Sequence, residues 1–110
     1  MSLHHAASGE LLHLDPAATG LSEFAAIALV KTDQLEVIRM TMPTGKKIPE
    51  HQVAGPITVQ CLAGSIELSA HGGVIQLGAD DLVYLAGGEA HALLALADSA
   101  VLLTILLHAA

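Results

Sequence analysis

Aromatic residues are almost missing from this chain: Phe24 and Tyr84 are its only phenyl and phenol rings, and there is no tryptophan in 110 residues. Leu, Val, Ile and Ala must therefore fill the interior, and any pocket in it will be aliphatic. Basic residues are scarce too. Lys31, Arg39, Lys46 and Lys47 are the only four, and the formal charge of -7 excludes the neutralisation of a run of nucleic-acid phosphates. Cys61 stands alone, which excludes an internal disulfide and agrees with a reducing, cytoplasmic setting. Long apolar runs are lacking as well. The richest stretch, Ala90 to Leu107, is broken by His91, Asp98 and Ser99 into pieces shorter than the roughly 20 residues of a membrane-spanning helix. The start, MSLHHAASGELLHLDP, has neither the basic region nor the apolar core of a signal peptide. These absences predict a cytoplasmic protein with no nucleic-acid partner and no membrane partner.

What is present is hydrophobic. Such residues make up 53% of the chain and charged ones only 14%, against about 25% charged in an ordinary soluble domain. A lone domain of this composition leaves much apolar surface to water, so a homodimer is expected, with Leu94 and Leu96 as outward-facing apolar positions. The length suits one domain, taken as residues 21–110, after a His- and Ala-rich N-terminal arm over residues 1–20.

Turn signals recur at short intervals: Thr32-Asp33, Pro43-Thr44-Gly45, Ala54-Gly55-Pro56, Ala63-Gly64-Ser65, His71-Gly72-Gly73, Gly78 to Asp81, Gly87-Gly88 and Asp98-Ser99. A spacing of roughly 8–12 residues is the rhythm of an all-β sandwich or barrel. Ile57 to Cys61 and Ser65 to Ser69 alternate apolar and polar residues as half-buried strands do, and Leu35 to Met40, with Val37 and Ile38, is β-branched enough to join them. The last third is different. AHALLALA and AVLLTILLHAA are built of Ala and Leu, and their propensity is helical.

Residues 45 to 64, GKKIPEHQVAGPITVQCLAG, resemble the first conserved motif of the cupin superfamily, G-x5-H-x-H-x3-E-x6-G, with Gly45, His51 and Gly64 in register. The second motif, G-x5-P-x-G-x2-H-x3-N, lies over DDLVYLAGGEAHALLA. Gly88 and His91 match there, while Asp80, Ala86 and Ala95 replace Gly, Pro and Asn. The resemblance spans roughly residues 35 to 107 and implies a small antiparallel β-barrel of jelly-roll type, in which the last third is strand.

It also implies where chemistry would sit. The metal ligands of metal-binding cupins fall on His51, Val53, Ile57 and His91, so two of the four donors have become hydrocarbon. Two imidazoles fall short of the three or four donors a first-row metal needs. Cys61 shares the parity of Ile57 and Val59 and is a candidate third donor, although a small buried hydrophobe is the simpler reading. A divalent metal (zinc, manganese, iron or nickel) would be the cofactor only with such an additional ligand. The leading expectation is a small-molecule ligand in an aliphatic cavity lined by Val53, Ile57, Val59, Cys61 and Leu93, with His51 and His91 as its polar contacts. One alternative is a metal-dependent cupin enzyme, a dioxygenase or isomerase, using His51 and His91. Another is a metal-free enzyme resembling the cupin sugar epimerases, for which Tyr84 is the only tyrosine. A ligand-sensing accessory module is the third. Asp80-Asp81 reads as a turn, and no serine has a nucleophile-elbow context. His4, His5, His13 and His108 carry no spacing signal, and His71 reads as a solvated turn residue.

Overall fold

Turn residues cut the chain into nine strands: β1 (Ala25–Lys31), β2 (Leu35–Met42), β3 (Lys47–His51), β4 (Ile57–Ala63), β5 (Ser65–Ala70), β6 (Gly73–Gly78), β7 (Leu82–Leu85), β8 (His91–Ala95) and β9 (Ser99–Leu106). The computed structural model describes residues 4–14 and 22–107; residues 15–20 of the expected arm, the expected boundary at residue 21, and His108 lie outside the described residues. Each of the eight turn clusters marks a junction between consecutive strands, and no helix occurs among the described residues.

The Ala- and Leu-rich last third is strand, against its local propensity. In β8 the alternate residues His91, Leu93 and Ala95 are buried, and β9 is hydrogen-bonded to β2 on one side and β4 on the other. Pairing and burial on both flanks outweigh a helical preference of a few tenths of a kcal/mol per residue. Strand β1, AAIALVK, has no alternation to announce it and is defined by its pairing with β2.

The strands form two antiparallel sheets, one of five strands in the order β1-β2-β9-β4-β7 and one of four in the order β3-β8-β5-β6. The fold is a jelly roll, but the expected closure into a barrel does not occur, because no strand ladder joins the two sheets. On one flank a corner replaces the ladder: the Asp80 N–H donates to the Cys61 carbonyl, and the Cys61 N–H donates to the Asp81 carbonyl. On the other flank β1 gives its Leu29 carbonyl to the Ala6 N–H of the N-terminal segment at 2.8 Å.

Between the sheets lies an aliphatic core. Met40, Met42, Ile57, Val59, Cys61, Leu85 and Val101 face Ile66, Leu68, Leu77, Leu93 and Ala95, while Phe24 and Tyr84 are 44% and 66% exposed on the outside. The layers taper. Along β9, Ser99 to Val101 are buried and Leu102 to Ile105 are half-buried; β2, running the other way, goes from half-buried Leu35 to buried Met42. Inward-facing Leu77 of β6 is 1% exposed, whereas Ile75, inward by the same parity, is 47% exposed. One end of the sandwich is therefore closed and the other open.

Polar contacts fasten the closed end. The Asp98 carboxylate accepts from the Thr44 N–H at 2.8 Å and the Thr44 hydroxyl at 2.9 Å, which holds its carboxyl below the ordinary range. The Ser99 hydroxyl, fully buried, accepts from the Ser65 N–H at 3.0 Å. Gly64, between β4 and β5, has φ +86°, and a side chain there would run into Ser99 and the Asp98 carbonyl. Asp80, standing where the second motif has glycine, keeps a left-handed φ of 72°, a conformation that aspartate tolerates better than most residues.

Candidate functional site

His51 ends β3 and His91 begins β8, and the two are paired across the strands of the four-stranded sheet. A break in register between Ile48 and His51 re-aims the end of β3, as β-bulges do. The ring centroids are 4.5 Å apart with the planes at 54°, so that exposed His51 covers His91, which is 4% exposed. Ala70 of β5 pairs with His91 on its other side.

Each ring is anchored in the same way. Nδ1 of His51 lies 3.0 Å from the Pro49 carbonyl, and Nδ1 of His91 lies 3.0 Å from the Glu89 carbonyl. A carbonyl oxygen only accepts, so both Nδ1 atoms carry hydrogen and, in the neutral rings, both Nε2 atoms are left as lone-pair acceptors. Neither Nε2 has a hydrogen-bond partner among the described residues. No sealed, unpartnered polar side-chain atom occurs among them either, so Nε2 of His91 reaches accessible space. Tethering of the second nitrogen to a carbonyl is how proteins orient imidazoles that act through the first.

Glu89 has a second task that the sequence does not announce. Its carboxylate accepts from the His71 N–H at 3.3 Å and lies 3.4 Å from the His71 ring, fastening the β5–β6 turn beside the histidine pair. His71 is in a left-handed conformation (φ 54°) and, apart from this contact, is exposed as expected. A surface pocket of about 350 Å³ lies at this turn, lined by Glu50, Ser69, His71 and Glu89 among others.

The residues expected to line a cavity are placed unequally. Ile57, Val59, Cys61 and Leu93 are packed in the core, and Val53 is half-buried against it. The accessible part of the interior lies at the open end, where Glu36, Ile38, Leu103 and Ile105 face inward from β2 and β9 and remain half-buried. Leu103 decides the point. It sits in the middle of the five-stranded sheet with neighbours on both sides, so it is reached by solvent only through the gap between the layers.

The donor set does not fit a metal. The two remaining ligand positions of the motif are Val53 and Ile57, and no three His, Cys, Asp or Glu residues converge as a metal site among the described residues. Cys61 does face inward but belongs to the closed end, paired with Val101 four residues along β4 from Ile57, about 13 Å at the rise of a strand. Its thiol donates to the Ala63 carbonyl at 3.3 Å, and burial pushes its pKa up. Tyr84 also lies outside the site: it pairs with Thr58 on the outer face of the five-stranded sheet.

The fold is that of the cupins. A cupin superfamily protein from Desulfitobacterium hafniense superposes with a TM-score of 0.79 at 16% identity, covering 98% of this chain and 100% of that one. A conserved protein of unknown function from Streptococcus pyogenes gives 0.78 at 19% identity, covering 100% and 98%. An RmlC-like cupin from Desulfovibrio desulfuricans gives 0.72 at 22% identity, covering 93% and 97%. No protein-family model matches the sequence, and no curated protein matches it.

Proposed function

We propose that this cupin-fold protein binds a small, largely apolar molecule at the open end of the sandwich, with the Nε2 atoms of His51 and His91 accepting hydrogen bonds from it. The observation that carries this reading is the pair of imidazoles with both Nδ1 atoms tied to backbone carbonyls. Two acceptors on one sheet, and on the other the half-buried Ile38, Leu103 and Ile105 with the Lys31–Glu36 ion pair next to Ile105, select a ligand with hydrocarbon on one side and a hydroxyl or amide donor on the other. The reading is one of binding and not of metal-assisted catalysis, because the positions that would complete a metal site carry Val53 and Ile57. Epimerase-like acid–base chemistry has no support either, with Tyr84 on the outer face.

The test is a methyl- and imidazole-observed NMR titration with short aliphatic alcohols and primary amides. Shifts should concentrate at Ile38, Leu103, Ile105 and the two imidazoles, and His91→Phe should weaken binding at least tenfold. Shifts confined to the pocket at Glu50, His71 and Glu89, or none at saturating ligand, would overturn the proposal.

A further inference from the structure

A sandwich of two open sheets leaves four edge strands, β1 and β7 in one sheet and β3 and β6 in the other. An edge carries unpaired N–H and C=O groups, and proteins protect it by cover, shortness, charge, proline or a bulge. Three of the four are protected. The N-terminal segment covers β1 through the Ala6 contact with Leu29, β7 has four residues, and β3 combines Lys47, Pro49 and Glu50 with a break in register. Strand β6 has none of these devices. Its sequence GVIQLG carries neither charge nor proline, it pairs with β5 without a shift in register, and Val74 and Ile75 are 61% and 47% exposed. Among the described residues no strand pairs with its other side, and only its last residue, Gly78, makes a backbone hydrogen bond elsewhere, accepting from the Asp81 N–H.

We infer that the β6 edge over Gly73–Gln76 receives an extended segment of another protein as an added strand, and that apolar and basic residues alternate in this segment. The surroundings of the edge select that chemistry. An added strand places alternate side chains beside Val74 on the outer face of the sheet and beside Ile75 on the inner one, and both of these are hydrocarbon. The pocket of about 350 Å³ at the β5–β6 turn adjoins the edge, since Gly73 and Val74 line it together with Glu50 and Glu89. The Glu89 carboxylate is engaged by His71, but that of Glu50 has no hydrogen bond or ion pair with any described residue. Gly72 and Gly73 put no side chain in the way, so a lysine or arginine on the outer face of the added strand extends past them into the pocket. The net charge of -7 favours the approach of a basic segment over an acidic one. A second copy of β6 fits worse, because GVIQLG holds no basic residue for the pocket. Main-chain hydrogen bonds supply the affinity of such an added strand, and the pocket supplies its selectivity.

An amide-observed NMR titration of the full chain with a capped hexapeptide of alternating valine and lysine tests this. Shifts should concentrate at Gly73–Gln76 and around Glu50, and the edge-facing amide protons of that stretch should exchange at least tenfold more slowly with peptide bound. Val74→Lys, at an exposed position, should weaken binding at least tenfold and Glu50→Lys at least threefold, while Glu23→Lys, the same change of charge away from the edge, should leave it within twofold. The same peptide N-methylated at every backbone amide keeps its charge and should not bind. Equal binding of the N-methylated peptide overturns the inference, because charge alone would then be at work. So do shifts centred on β1, β3 or β7, no shifts at millimolar peptide, or edge amides already protected in the free chain, as when a second copy occupies β6.

Discussion

The two ends of this sandwich are made of the same strands and behave differently. At the closed end Met42, Cys61, Ile66, Val101 and Ser99 are all 0% exposed, and two cross-loop clasps, Asp98 with Thr44 and Ser99 with Ser65, hold the layers shut. At the open end the same strands carry half-buried Ile38, Leu103 and Ile105, and the histidine pair sits on the facing sheet. Stability is therefore concentrated at one end, which leaves the other free to admit a ligand. A site needs accessible, oriented groups, and these come where the packing is least complete.

The sharpest way to break this contrast is to remove the same hydrocarbon from each end. Ile66→Ala leaves a cavity among fully buried neighbours and should cost about 2–5 kcal/mol, whereas Ile105→Ala, at a half-buried position, should cost less than half as much. Urea denaturation of the two variants measures both values. Equal losses would mean that the open end is packed as tightly as the closed one.

A comparable effect follows from restoring the donors that the motif has lost. Val53→His with Ile57→Glu places polar groups against the core, and the metal-free variant should lose about 1–3 kcal/mol for each group left unsatisfied. Zinc or manganese should return much of that loss, because an ion that binds only the folded state stabilises it by mass action. Thermal melts with saturating metal and with chelator check this. Identical melting temperatures would mean that residues 51, 53, 57 and 91 do not converge.

The smallest expected effect concerns pH. Burial raises the Cys61 pKa above its ordinary value, so the unfolded chain gives up the thiol proton first as pH rises. Its contribution is complete below the unfolded thiol value of about 8.5 and is lost as pH climbs from there through the higher folded value. Stability should therefore fall at alkaline pH, and Cys61→Ala should flatten that fall. Chemical denaturation across the alkaline range reads the slope, and an unchanged slope in the variant would locate the cause elsewhere.

Much of this fold is legible in the chain because local chemistry dictates it. Gly64 must be glycine for its left-handed turn and its close approach to Ser99, and the alternation of Ile57, Val59 and Cys61 states the burial of β4 directly. The motif positions also bring His51 and His91 to adjacent strands, and the structure pairs them. Other features depend on distances that no local pattern encodes. Parity makes Val59 and Leu103 equally inward, yet one is sealed and the other reached by solvent, because that depends on how far apart the sheets stand. The orientation of His91 is set by the backbone carbonyl of Glu89, a group every residue has, so no residue type could signal it. Barrel closure is implied by the resemblance, but no strand ladder joins the two sheets, which meet on one flank at the Asp80–Asp81 corner.

Ligand binding at this site depends most on the two imidazoles presenting bare Nε2 atoms. A long-range proton–nitrogen correlation spectrum of the histidine side chains, recorded where both rings are neutral, measures this directly. The predicted result is that His51 and His91 both carry their proton on Nδ1, and that a hydrogen-bond-donating ligand moves chiefly their Nε2 resonances. Finding the proton on Nε2 of either ring would contradict the account, since that Nδ1 could no longer donate to the carbonyl of Pro49 or Glu89.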